Sequence, residues 1–395
     1  MGRPFRICFY ECTHYVRRQW LGDKCDNSYT ANCGDGLYVA ATLAGAKLKS
    51  KRSNMSSHLP KDHPAVAAKK VGVLLLNLGT PDATDYWSMR RYLKEFLSDQ
   101  RVIEIPKLVW WPILNGIVLT VRPKKSGAAY DKIWDYENGD SPLRVISESQ
   151  VKALQSAMSS HDNVVVDYAM RYGNPSTKSK LEALQKQGCD KILLVPLYPQ
   201  YAAATTATAN DKAFEALQQM RWQPAVRTAP AYFENQVYID AIAQSIQDGL
   251  AKLDFEPDLV ITSYHGVPKS YLMKGDPYHC QCYKSTRLVR EKLGWAEDKM
   301  MVTFQSRFGP EEWLQPYTDK TLEALPAKGI KKVAILTPGF SVDCLETLEE
   351  IAMEGREEFL EAGGEQFAYI PCLNDSELGM KVIEDVVRRE LSGWI

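Results

Sequence analysis

Short apolar segments that alternate with helical patterns constrain this chain more than anything else in it. Residues 71–76, 164–170, 192–197, 259–263, 301–304, 333–336 and 366–370 read as strands. The runs at 71–76, 192–197 and 333–336 are apolar throughout rather than alternating, as buried parallel strands are. Helical patterns fill the intervals at 85–97, 149–159, 177–187, 211–221, 286–293, 318–327 and 377–391. Such alternation specifies open parallel sheets with helices on both faces. The chain of 395 residues, 45% apolar and 25% charged, is long enough for two such layers. The expected fold is α/β, two Rossmann-like domains with parallel sheets flanked by helices. The expected division is 69–222 plus 368–395 for the first domain and 223–367 for the second. The last helix packs back on the first.

Residues 1–68 are expected to be an N-terminal extension. Residues 1–54 carry nine Lys/Arg against four acids and hold Cys8, Cys12, Cys25 and Cys33. They lack a secretory apolar core, and their cysteine spacing fits no usual zinc pattern. Met55 is the expected start. The net charge of −1 gives no support for a nucleic-acid partner. No apolar run reaches the ~18 residues of a membrane span. Nine cysteines in so long a chain point to a reduced compartment.

In such folds ligands bind beyond the carboxyl ends of the strands. Several chemically distinctive residues fall there. His265 ends the strand at 259–263 and precedes Gly266. Arg171 and Tyr172 end the strand at 164–170. After the strand at 333–336 comes a Pro-Gly turn, then Asp343 three residues before Glu346, which reads as a capping box and a helix start. Glu346, Glu350 and Glu354 follow at a four-residue step, so three carboxylates share one helical face. They are either a solvated face that suits the helix dipole or a row of hard oxygen ligands and proton acceptors. His265 is a candidate base. His279-Cys280-x-Cys282 reads as a loop of free thiols, without a second pair to complete a zinc site.

Within residues 103–122, the stretch from Leu108 to Leu119 carries Trp110, Trp111 and seven aliphatic side chains, with Pro106 and Pro112 expected to break the helix. They either pack in a core or form an exposed lip that touches a bilayer, with Arg122, Lys124 and Lys125 facing anionic headgroups.

Seven motifs in order resemble the ferrochelatase family, bacterial type: GVLLLNLGTPD (72–82), SPLR (141–144), MRYGNP (170–175), VPLYPQYAAATT (195–206), SYHGVP with KGDPY (263–278), FQSRFGPEEWLQP (304–316) and GFSVDCLETLEEI (339–351). The resemblance implies a class II chelatase-like fold and insertion of Fe²⁺ into protoporphyrin IX with release of two protons. It implies catalytic roles for His265, Glu346, Glu350 and Asp343, with His265 and Glu346 meeting the metal. It implies porphyrin contacts at Leu78, Arg171, Tyr172, Gln305, Ser306 and Trp313. Cys344 stands where animal members carry a histidine. Ala203 stands at their internal cluster cysteine, and no cysteine follows Cys372. No tightly bound cofactor and no [2Fe–2S] cluster of the animal type is therefore expected. A cytoplasmic monomer or homodimer is expected, with peripheral contact on the inner membrane through residues 103–120. A porphyrin or haem carrier without insertion activity, and a chelatase of the same fold for cobalt or another tetrapyrrole, are the alternatives.

Overall fold

Every strand expected from an apolar run is present and parallel to its neighbours. The computed structural model describes residues 62, 63 and 69–395. The expectations for residues 1–54, including their cysteines and the start at Met55, lie outside the described residues. In chain order the elements are β1 (Lys70–Thr80), α1 (Tyr86–Leu97), α2 (Lys107–Ile113), α3 (Leu119–Ile133), α4 (Pro142–Ala157), β2 (Val164–Gly173), α5 (Thr177–Lys186), β3 (Cys189–Pro196), α6 (Thr208–Gln218) and β4 (Ala225–Thr228). Then come α7 (Gln236–Leu250), β5 (Leu259–His265), α8 (Lys269–Met273), α9 (Tyr278–Leu293), β6 (Met300–Gln305), α10 (Thr318–Ala324), β7 (Lys332–Leu336), α11 (Leu345–Thr347), α12 (Arg356–Glu361), β8 (Gln366–Ile370) and α13 (Glu377–Leu391). π-helical segments join α2 to α3 (Leu114–Val118) and α11 to α12 (Leu348–Gly355), and a third precedes α6 (Ala203–Ala207).

Two four-stranded sheets share one topology, β2-β1-β3-β4 and β6-β5-β7-β8. The order reverses between β1 and β3 in one sheet and between β5 and β7 in the other. Those are the switch points where a crevice opens beyond the strand ends. Strand β4 lies past residue 222 yet pairs with β3, so the first sheet reaches further along the chain than residue 222. Strand β8 pairs with β7 and completes the second. Residues 69–395 lie in one compact unit. One core joins both sheets: Val73 and Leu75 of β1, Ile242 and Ile246 of α7, Leu336 of β7, and Val382 and Val386 of α13. Each such leucine or valine contributes about 1.5–3 kcal/mol on leaving water.

Three local expectations change. Residues 138–144, whose Asn-Gly-Asp-Ser-Pro run reads as a loop, are helical in their second half: Ser141 caps α4 by accepting from the Arg144 N–H at 3.3 Å, and Pro142 takes the first helical position. Pro106 precedes α2, but Pro112 lies inside it and Pro123 inside α3. The π segment after Pro112 absorbs the offset, and the carbonyl that Pro123 leaves free at Leu119 accepts from the Tyr86 hydroxyl at 3.1 Å. His279, Cys280 and Cys282 lie on α9, not in a loop. Cys282 is buried and Cys280 exposed, so helical spacing turns the two thiols apart. Among the described residues, no helix is long and apolar enough to cross a membrane.

Candidate functional site

The carboxyl ends of the strands that flank the two switch points converge on one cleft of about 500 Å³, within the usual range for small-molecule sites. Asn77–Thr80 from β1 and Leu197, Tyr198 and Gln200 after β3 form one wall. His265–Pro268 after β5 and Gly339–Glu346 after β7 form the facing wall, apart from Asp343. Residues of α1, α3 and the Ser306–Phe308 loop close the sides. Two glycines make this convergence feasible. Gly79 holds φ +115°, and a Cβ there would meet the Tyr172 carbonyl oxygen at 1.9 Å. A Cβ on Gly266 would lie 2.8 Å from the Gln305 carbonyl oxygen and 3.1 Å from the Trp313 ring.

His265 ends β5, paired in register with Gln305 of β6. Its Nδ1 lies 2.6 Å from the Gly266 carbonyl oxygen. A carbonyl only accepts, so in the neutral imidazole this contact places the proton on Nδ1 and leaves the lone pair on Nε2. The Trp313 ring lies 6.5 Å from the imidazole, centroid to centroid.

The acidic segment faces this imidazole. Cys344, not Asp343, caps α11; the Cys344 N–H donates to Thr347 Oγ1 at 2.9 Å. Helical winding then continues as the π segment Leu348–Gly355. Glu346, Glu350 and Glu354 all line the cleft, as the four-residue spacing implies, and Glu349 joins them. Five-residue bonding in a π-helix brings Glu349 beside Glu354. Burial first, and next the charge of Glu349, push the Glu354 carboxyl up. Glu350 is held by two hydrogen bonds. One oxygen accepts from the Ser306 N–H and the other from the Ser306 hydroxyl, both at 2.6 Å. Ser306 holds φ +65°, a conformation that costs a residue with a Cβ about 1–2 kcal/mol. The two charge-assisted bonds offset that cost. Burial raises the Glu350 carboxyl above its ordinary range; the Ser306 bonds and the nearby charge of His265 pull it back, and Glu346 pushes it up again. The sensitivity of Glu350 to both His265 and Glu346 places the three groups within one electrostatic neighbourhood.

Of the residues expected at the site, Leu78, His265, Ser306, Trp313, Glu346 and Glu350 line the cleft. Four others stand behind its wall. Gln305 is buried; its Nε2 donates to the Glu346 carbonyl at 2.6 Å, and its Oε1 accepts from the Ser263 hydroxyl at 2.8 Å. Asp343 is buried and accepts from the Tyr369 hydroxyl and the Asn374 amide at 2.6 Å each and from the Thr347 hydroxyl at 2.9 Å. Cys344 is extended (φ −148°, ψ −168°), so Asp343 turns toward the segment after β8 while Glu346 turns into the cleft. Arg171 and Tyr172 are tied to Asp99. The Arg171 guanidinium pairs with that carboxylate, which the Tyr172 hydroxyl also reaches at 2.8 Å, and Arg171 Nε donates to Thr208 at 2.6 Å. Burial pushes the Asp99 carboxyl up, but its bonds from Thr208, the Arg101 N–H and Tyr172, with the Arg171 charge, outweigh that and hold it low. Phe96, edge-on to Tyr172 at 5.0 Å, carries this network to the cleft wall.

The cleft also holds residues that the motif reading did not assign to it. Arg122, Lys125 and Arg307 line it as cations. Tyr130, buried against Tyr92, lines it near Glu346. The apolar stretch divides: Leu114 and Leu119 are buried, whereas Leu108 is 92% exposed and Trp111 66%. The exposed part makes a lip beside the cleft residues of α3.

Fold and site together define an α/β enzyme in which an imidazole with a free lone pair, a carboxylate row and a set of cations surround one largely apolar slot. The chain belongs to the ferrochelatase family: the family model described as Ferrochelatase matches residues 70–391. It is 64% identical over 343 residues to a ferrochelatase of Allorhizobium ampelinum, covering 87% of this chain and 100% of the relative. It is 62% identical to one of Agrobacterium fabrum (86% and 98% covered) and 63% identical to one of Rhizobium meliloti (85% and 98%). Its reaction is the ferro-lyase step of haem synthesis, in which iron as substrate enters protoporphyrin.

Proposed function

We propose that His265 takes the first pyrrole proton, that Glu346 hands over the iron, and that Glu350 relays protons outward. Porphyrin loses two N–H protons as Fe²⁺ enters, so charge balances only if the protein accepts and exports both. His265 suits the first step, since Nε2 is a free base while Nδ1 is held by Gly266. Glu350 suits a relay, because burial moves its carboxyl toward neutrality while Ser306 stabilises the ionised form. Glu346, which lines the cleft, is the oxygen ligand that meets the metal beside His265. Oxygen and imidazole donors hold Fe²⁺ weakly enough to release it. Asp343 and Gln305 act as positioning residues for this row, and Arg171 and Tyr172 for the Phe96 wall. Arg122, Lys125 and Arg307 are matched to the substrate's carboxylates. The exposed lip is proposed to rest on the membrane surface and receive an apolar substrate. By sheet order we assign one Rossmann-like half to β1–β4 and another to β5–β8.

The opening of His265, held through Nδ1 by Gly266, onto the same cleft as Glu346 and Glu350 carries this reading. The experiment is anaerobic insertion of Fe²⁺ into protoporphyrin IX, followed by the Soret shift, in Glu346→Gln and Glu350→Gln. Glu346→Gln is expected to raise the KM for iron, and Glu350→Gln to lower kcat with porphyrin binding kept. Wild-type parameters in both variants would refute the assignment.

A further inference from the structure

Glu349 and Lys132 have no part in the steps above, although their ion pair sits on the acidic row. Lys132 Nζ, on α3, lies 2.6 Å from Glu349 Oε1 on the π segment. The carboxylate side chain is 9% exposed and the ammonium side chain 52%. A pair with one end in water adds little to stability. Its consequence for the row is larger. Glu349 and Glu354 both line the cleft and are one π-helical step apart. Two unpaired carboxylates so placed are hard oxygen ligands that a divalent cation would occupy.

We propose that Lys132 is a positioning residue for metal delivery, neutralising Glu349 where it lines the cleft so that the row passes iron inward instead of trapping it at its outer end. The inference rests on the proposed role of Glu346 in handing over the iron and takes the cleft-lining row from Glu354 inward as the path of the ion. Withdrawing one positive charge beside two carboxylates strengthens their attraction for a divalent cation on the order of tenfold at ~0.1 M salt.

The test is titration with Mn²⁺, free ion read by electron paramagnetic resonance, on wild type, Lys132→Met, Lys132→Arg and Lys132→Met/Glu349→Gln. Lys132→Met is expected to bind Mn²⁺ about tenfold more tightly and to be inhibited by Mn²⁺ in iron insertion at about tenfold lower concentration. Lys132→Arg is expected to match wild type, and the double variant to lose the added affinity. A Lys132→Met protein of native circular dichroism that titrates like wild type overturns the inference. So does a double variant that keeps the tighter binding. Should Lys132→Met not fold, Lys132→Gln makes the same charge change and is read by the same criteria. Glu354→Gln in the wild-type background separates the two levels. If it changes neither Mn²⁺ binding nor the KM for iron, the path reading itself fails. If it changes them while Lys132→Met does not, only the role of Lys132 fails.

Discussion

Ser306→Ala tests the proton relay through a single hydroxyl. The hydroxyl donates to one Glu350 oxygen at 2.6 Å, and the Ser306 N–H, donating to the other at 2.6 Å, is kept in the variant. A hydrogen bond to a charged group contributes about 1.5–3 kcal/mol. The bond exists for the ionised carboxylate, so its loss favours the protonated form. At ~1.4 kcal/mol per pH unit, and with water replacing part of the lost bond, the acid limb of kcat against pH moves up by about one unit. The relay needs ionised Glu350 to accept a proton, which fixes the sign: activity is lost at low pH, and the plateau at high pH is kept. Alanine at φ +65° bears the same backbone strain as serine, so the fold is unchanged. The assay is anaerobic insertion under saturating iron and porphyrin across pH 5.5–9, a range set by the stability of the substrates. An acid limb that stays in place or moves down would refute the claim that Glu350 carries protons under the control of Ser306.

Other consequences are as direct. The Glu350 carboxyl is raised in the folded state, so its contribution to stability is present below the unfolded value and lost as pH rises through the folded one. Glu350→Gln should therefore raise Tm at pH 7–8 in a thermal melt, with the gain vanishing near pH 4. Gly266→Ala should push the Trp313 ring and the Gln305 carbonyl and cost about 1–3 kcal/mol in denaturant unfolding. Its porphyrin affinity, read by tryptophan quenching, should fall as well. Leu108→Glu with Trp111→Glu should abolish co-sedimentation with anionic vesicles while leaving insertion with detergent-solubilised porphyrin at the wild-type rate.

The strands, and the edge of the fold where chemistry gathers, were legible because an apolar run that stops at His265 has one simple meaning in a parallel sheet. The face shared by Glu346, Glu350 and Glu354 was legible too, since the helical winding keeps a four-residue step on one side. Glu349 was not, because its place beside Glu354 depends on five-residue bonding that no spacing rule announces. Asp343 looked equivalent to Glu346, yet one extended residue, Cys344, turns it to Tyr369 and Asn374. Arg171 and Tyr172 end a strand as read, but their partner Asp99 lies 72 residues before Arg171, where only the folded chain brings it. Arg122 and Lys125 read as a lipid-facing flank. The π segment between α2 and α3 sets the helix phase that turns them into the cleft instead.

The account stands on the free nitrogen of one imidazole. Its most direct test is anaerobic single-turnover insertion in His265→Ala, with porphyrin binding followed separately by fluorescence. Loss of insertion by about 10²–10⁴-fold with porphyrin affinity kept is the predicted result. Insertion at the wild-type rate in a folded, porphyrin-bound variant would contradict it.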